Sequence, residues 1–309
     1  MKLVFFGTPA FAVPVLRAVY EAGHTVLAVV TQPDRPKGRK KTLCPPEVKV
    51  CAETLGLPVL QFEKIKSPEA VQALSDLQAD CWVTAAYGQI LSKQLLSLPK
   101  YGVINAHASL LPGYRGPAPV NWCLINGEQE TGVTTMFTDI GVDDGDIILQ
   151  QKEPIRPEDT TESLLARLSE IAAPLMVHTL CLVEQGRAPR TPQNSEEASR
   201  HPMLSKQDGL LDFSLPAQAV FNKTRGVTPW PGAFSTLAGQ TYKFTEPYLT
   251  KGSGEPGQIL LADAKKGFVI ACGKDAVGFG KIQAPGKKMM PVADFLRGHA
   301  LDTTGRFGQ

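Results

Sequence analysis

No C-x-x-C pair occurs in this sequence; its six cysteines, Cys44, Cys51, Cys81, Cys123, Cys181 and Cys272, are scattered and two of them fall inside apolar runs. That pattern argues against a zinc ribbon or a disulfide scaffold, and it predicts reduced thiols packed as small hydrophobes in a cytoplasmic protein. Nor does any apolar run approach the roughly 18 residues needed to span a bilayer, so a soluble chain is expected. The opening MKLVFFGTPAFA imitates a secretory leader, but Gly7-Thr8-Pro9 interrupts the apolar run after four residues, and no leader is expected. Internal repeats and low-complexity tracts are absent too.

Two nucleotide signatures are also missing. Where a dinucleotide-binding chain carries G-x-G-x-x-G after its first strand, this one has GTPAFA, and G-x-x-x-x-G-K-[ST] occurs nowhere, which sets aside nicotinamide and ATP chemistry. Charge of a single sign is scarce: Lys+Arg number 32 against 30 Asp+Glu. With 43% apolar and 20% charged residues, neither disorder nor a generally basic surface is indicated. The distribution is uneven, however, since residues 204–309 carry 13 Lys+Arg against 8 Asp+Glu while residues 1–203 carry 19 against 22. A basic C-terminal part hints at a polyanionic partner.

What is present reads as α/β. The run KLVFFG, a helical pattern over about 9–22 and the run TVLAVVTQ make a βαβ opening. A helical stretch near 45–55 and the runs CWVTAAYG (81–88) and GVINAH (102–107) continue the alternation. This predicts a doubly wound, mainly parallel sheet of Rossmann-like type with its active site beyond the C-terminal ends of the strands. GVTTMFTD and DIILQQKEPI flank a turn at Gly141-Val-Asp-Asp-Gly145, and TESLLARLSEIAAPLMVHTLCLVEQG predicts one long helix. Residues 187–203, rich in Pro, Ser and charge, read as a linker between domains at 1–186 and 204–309. Five short β runs between 232 and 283 predict a small C-terminal β-barrel of oligonucleotide-binding-fold type.

Asn105 and His107 stand two apart at the end of an apolar run, a spacing that puts both side chains on one face of a strand. They are candidate catalytic groups, although a single histidine at a strand end is more often a satisfied structural residue. Asp143 and Asp144 lie in a glycine-bounded turn, where aspartate is ordinary. The cluster from Arg35 through Lys37, Arg39, Lys40 and Lys41 reads either as a solvated loop or as a polyanion contact.

Taken together, these segments resemble the formyltransferase family that uses 10-formyltetrahydrofolate. The likeness is carried by Asn105-x-His107, SLLP at 109–112 and Asp143 in GVDDGD. It extends through TQPDRPKGRKK (31–41), TLGLPV (54–59), YRGPAPV (114–120) and ETGVTTM (130–136) to LSKQDGLLDFS (204–214) and TPWPGAF (228–234), almost the whole length. The resemblance implies direct attack of an amine on the formyl carbon, without a covalent enzyme intermediate or a metal. His107 is the implied donor to the developing oxyanion, Asn105 holds the formyl oxygen, and Asp143 orients His107 and relays a proton. It places the folate against Tyr87, Gly88, Gln89 and Ile90 and against Ser109, Leu110, Leu111 and Pro112. Within the family the chain is most similar to members whose acceptor is the α-amine of initiator methionyl-tRNA. In that case Arg35, Lys37, Arg39, Lys40, Lys41, Lys206 and Arg225, with Lys265, Lys266, Lys287 and Lys288, would grip the tRNA, and the protein is expected to act as a monomer in translation initiation. Formyl transfer to a sugar-nucleotide amine or to glycinamide ribotide, or hydrolysis of the folate, would use the same three residues.

Overall fold

The computed structural model describes the chain apart from residues 38–41, 300, 302 and 309, and gives Lys37 through its backbone only. In chain order the first elements are β1 (Lys2–Gly7), α1 (Ala12–Glu21), β2 (Thr25–Thr31), β3 (Arg35–Lys37), β4 (Thr42–Cys44), α2 (Glu47–Thr54), β5 (Val59–Gln61), α3 (Pro68–Asp76), β6 (Cys81–Ala85), α4 (Lys93–Leu96) and β7 (Val103–His107). There follow α5 (Pro119–Asn126), β8 (Glu130–Phe137), β9 (Ile147–Pro154), α6 (Thr161–Glu184), α7 (Ala217–Gly226), β10 (Ala233–Leu237), β11 (Gln240–Thr250), β12 (Ile259–Asp263), β13 (Gly267–Ala271), β14 (Ala276–Gln283), β15 (Met290–Pro291) and α8 (Val292–Gly298).

The chain divides into two compact units: residues 1–117, 130–154 and 165–201, and residues 118–129, 155–164 and 202–309. In the first, seven strands run in the order β5-β2-β1-β6-β7-β8-β9. The first five are parallel, and β8 and β9 close the edge antiparallel. Leu3, Val4, Phe5 and Phe6 of β1 and every residue of β6 are buried, as strands covered on both faces must be. Chain order reverses between β1, which leads outward to β2 and β5, and β6, which leads to β7; the ends of these strands are therefore the expected site. Gly7 ends β1 because a Cβ there would meet Ala12 Cβ at 2.7 Å and Phe5 Cε1 at 2.8 Å. The helix start packs directly on the strand end.

Helix α6 is long and apolar enough, by length and composition, to cross a membrane, although polar residues interrupt every apolar run within it. Its apolar residues form a stripe at fourfold spacing, Leu164, Leu168, Ala172, Met176 and Leu180, all buried. Thr179 Oγ1 also lies 2.8 Å from Thr135 Oγ1 of β8, so this face belongs to a folded core.

The second unit departs from a contiguous division near 187–203. Its α5 and the start of α6 belong with the C-terminal part because Asn121 Nδ2 and Thr161 Oγ1 both donate to Gly226 O, at 2.7 and 2.8 Å. A Cβ on Gly226 would stand 2.5 Å from Ile125 Cγ1, so α7 approaches α5 through glycine. All five expected β runs form strands, paired antiparallel in the order β10-β11-β14-β13-β12, with β15 beside β14. An antiparallel, β-rich C-terminal unit is what the short β runs predict. Phe244, Phe268, Phe279 and Phe307 fill its core, with Phe244 and Phe279 stacked at 4.6 Å.

The segment 187–203, expected as a plain linker, is laced onto the first unit. Thr191 exchanges both backbone hydrogen bonds with Ile147, while Ser199 O accepts from Arg115 N at 2.9 Å and His201 N donates to Arg115 O at 3.0 Å. An aperiodic segment without secondary structure of its own satisfies its backbone on a neighbouring edge.

Candidate active site

β7 carries both expected polar side chains. It is hydrogen-bonded to β6 on one side and β8 on the other, so Asn105 and His107 leave the same face of a fixed strand. Asn105 is opposite Thr84 of β6 in register, and Thr84 Oγ1 donates to Asn105 Oδ1 at 2.9 Å. The same hydroxyl lies 3.4 Å from Ile104 O, but the contact to Oδ1 is the shorter, so the end of the amide offered to a ligand is Nδ2, with two N–H donors.

His107 is 7% exposed. Its Nε2 lies 2.9 Å from the carbonyl of Tyr114, which can only accept, so Nε2 carries a proton. Proton traffic at this ring is thereby confined to Nδ1. That nitrogen faces Asp143, with Nδ1 to Oδ2 at 3.6 Å: an ion-pair distance when the ring is charged, but too long for a direct hydrogen bond. Asp143 Oδ2 also accepts the backbone N–H of Gly116 at 2.8 Å, which holds the carboxylate in place.

The loop that brings Tyr114 back to His107 is stitched from within. Ser109 Oγ donates to Gly113 O at 2.8 Å, Thr134 Oγ1 donates to Ser109 O at 2.7 Å, and Gln150 Nε2 donates to Leu111 O at 2.8 Å. Asp143 and Tyr114 both have left-handed backbones, at φ 53° and 61°. Aspartate tolerates that region, whereas a bulky tyrosine is strained there. Strain therefore sits on Tyr114, whose carbonyl faces the ring, as is common at functional sites.

The segment expected to line the folate is only partly available. The Tyr87 side chain is buried in the core beside Phe6, and burial pushes its phenol well above the ordinary range. Its carbonyl accepts from Thr8 Oγ1 at 2.7 Å and Gln32 Nε2 at 3.3 Å. Gln89 accepts from Ile65 N through Oε1 and donates to Phe62 O through Nε2. Ser109 and Leu111 are buried as well. Their contribution to a ligand is therefore confined to the backbone, while Ile90, 60% exposed, does present an apolar surface. Gly88 holds a positive φ of 92° at the turn between them.

Of the expected cations, Lys206 is exposed. Arg35 is exposed but paired with Glu63 at 2.6 Å. Arg39, Lys40 and Lys41 lie outside the described residues. Arg225 is a correction: it is 6% exposed, donating to Arg156 O at 3.1 Å, Asp159 O at 3.3 Å and Asn222 Oδ1 at 2.9 Å. A guanidinium used to tie one backbone segment to a helix has no face left for a phosphate. Burial lowers its proton affinity, partly offset by Asp159 and Glu158.

Sequence reasoning missed Thr84, Tyr114 O, the Gly116 N–H and Thr134. Thr84 left a signal, a polar residue inside the apolar run CWVTAAYG; the others depend on loop conformation. Among the described residues no group of three or more His, Cys, Asp or Glu is placed to hold a metal ion.

A family model described as "Formyl transferase" matches residues 1–180, and one described as "Formyl transferase, C-terminal domain" matches residues 203–300. A methionyl-tRNA formyltransferase of Citrifermentans bemidjiense is 48% identical over 309 residues, covering 100% of this chain and 97% of the relative. Two solved structures share the fold. An N-formyltransferase from Helicobacter canadensis with folinic acid and dTDP-3-aminofucose is 18% identical, with TM-score 0.68 over 92% of this chain and 99% of that one. HypX from Aquifex aeolicus with tetrahydrofolic acid is 18% identical, with TM-score 0.64 over 98% of this chain and 48% of HypX, so this chain spans about half of HypX.

Proposed function

This chain belongs to the formyl transferase family, and from that premise we propose that it transfers the formyl group of 10-formyltetrahydrofolate to the α-amine of initiator methionyl-tRNA. The observation that carries the reading is full-length identity of 48% to a methionyl-tRNA formyltransferase, in a chain that brings Asn105, His107 and Asp143 together.

The reaction sets the requirements. A neutral amine attacks the formyl carbon, negative charge develops on the formyl oxygen, and a proton must leave the attacking nitrogen and reach the departing folate nitrogen. Each donor aimed at the developing oxyanion contributes about a hundred- to a thousandfold in rate. Asn105 Nδ2 is one such donor, fixed by Thr84. His107 is the other when its ring carries both protons: Nε2–H is held by Tyr114 O and the second proton, on Nδ1, is the one offered to the oxygen. Asp143, 3.6 Å from Nδ1, takes up the proton of the attacking amine through water and returns it to the leaving nitrogen. A carrier of this kind contributes about a hundred- to ten-thousandfold. The donor set fits a formyl oxygen, and Ile90 with the backbone of 87–90 and 109–112 fits the flat face of a pterin.

The acceptor's polyanionic body is gripped away from this chemistry by the basic residues of 35–41 and by Lys206 and the exposed Lys265, Lys266, Lys287 and Lys288. Translation initiation is the corresponding process. The test offers purified protein 10-formyltetrahydrofolate with initiator methionyl-tRNA, an amino-sugar nucleotide, glycinamide ribotide or no acceptor, and follows formyl mass on each. Formyl on the methionine supports the reading; formyl on another amine, or its loss to water at the same rate, rejects it.

A further inference from the structure

We propose that Gln193 is a positioning residue for formyl transfer, holding the Asp143 turn at its working distance from His107; this rests on the catalytic reading of Asp143 above. Gln193 lies in the aperiodic segment that the sequence marks as a linker. Its Nε2 donates to Asp143 O at 2.9 Å and to Gly145 O at 2.8 Å, while its Oε1 accepts from Arg115 Nε at 3.0 Å and Nη2 at 2.7 Å. Both donors and both acceptor positions of one amide are thereby used.

The turn it grips has little packing of its own. Ile140 and Val142 are 59% and 42% exposed, and Asp143 holds a left-handed backbone. Polar ties therefore set its position: Gly116 N–H on the carboxylate, and Gln193 on the carbonyls either side of Asp144. The other anchor, Arg115, is 7% exposed, and its backbone is bonded to Ser199 and His201. A shift of the turn by about 1 Å would remove Asp143 from His107, and displacements of that size cost about a hundredfold in turnover elsewhere.

A merely structural role, in which Gln193 fastens its own segment through Arg115, makes a different prediction. Gln193→Glu keeps the acceptor for Arg115 and adds charge to it, but points a carboxylate oxygen at two carbonyl oxygens. The positioning role predicts that amide hydrogen exchange at Gly116, followed by NMR without substrate, accelerates about tenfold in Gln193→Glu. It also predicts that kcat falls about ten- to a hundredfold while KM for methionyl-tRNA and for 10-formyltetrahydrofolate stays within threefold. Gln193→Met, which loses both halves of the amide at similar size, should match it. Gly116 exchange within twofold of wild type in both variants overturns the proposal, as does a loss confined to KM.

A further arm combines Gln193→Glu with Asp143→Ala. No additional loss beyond Asp143→Ala alone is expected, and an additive loss places the effect elsewhere and overturns the proposal. Because the exchange measurement needs no acceptor, the two readings fail separately. Faster exchange with lowered kcat on a different amine would reject the tRNA acceptor and keep Gln193 in its role.

Discussion

At the scale of single residues, the site is a set of groups each deprived of alternatives. His107 has one nitrogen bonded to a carbonyl and the other facing a carboxylate, so its chemistry runs through one atom. Replacing Asp143 by Ala should lower turnover about a hundred- to ten-thousandfold, with a melting midpoint within a few degrees of wild type. Near-normal kcat would remove Asp143 from the mechanism. Thr84→Val keeps the shape but lets the Asn105 amide turn over. It should cost about 1 kcal/mol of stability and about tenfold in kcat, a fraction of what removal of an oxyanion donor costs; unchanged kcat would mean Thr84 does not orient Asn105. The thiols give a check on burial. Burial pushes Cys81 up to about 12 and Cys272 up to about 11, so both remain protonated at neutral and mildly alkaline pH. Iodoacetamide at pH about 8 should therefore label exposed Cys181 and spare these two until the protein unfolds, as peptide mass spectrometry would report.

At the scale of elements, the end of β1 and the start of α1 approach each other closely beside the site. Gly7→Ala would set a Cβ 2.7 Å from Ala12 Cβ and 3.2 Å from Ala85 O. Overpacking of this kind costs about 1–3 kcal/mol, and it would also move Thr8, which bonds Tyr87 O. A chemical-denaturation midpoint equal to wild type would show that the strand end relaxes freely. Most of the longer strands were legible because they are apolar runs ended by Gly or a polar residue, as with KLVFFG and GVINAH. The hairpin β3–β4 and the short α5 were not legible. Three-residue strands and an eight-residue helix give too little periodicity to separate from loop. Helix α6 was read correctly as a single element, but its fitness for a membrane by composition emerged only from its full extent.

For the whole molecule, the uneven charge is what distinguishes the proposed acceptor from a small amine. Replacing Arg39, Lys40 and Lys41 with Ala should weaken methionyl-tRNA binding and lower the slope of log affinity against log salt by about 1 for each phosphate no longer neutralised. Folate affinity should not change. An unaltered slope, measured by filter binding across a salt series, would place the grip elsewhere. Arg225 shows why a count of cations is not a map of them: its charge is turned inward to carbonyls, and no local pattern distinguishes it from Lys206.

Which residues share a strand face follows from local spacing, because side-chain direction along β7 has period two; Asn105 and His107 pair on that ground alone. Motif likeness within the sequence also determines the kind of carboxylate turn to look for. Long-range packing is what sets Thr84 against the amide, Tyr114 O as acceptor of the imidazole Nε2–H, and Asp143 3.6 Å from the other nitrogen with its turn bonded to Gln193. Each of those contacts joins residues separated by between 7 and 50 positions. Sheet order, strand register and loop path set them, and none of these is written in the spacing of neighbouring residues.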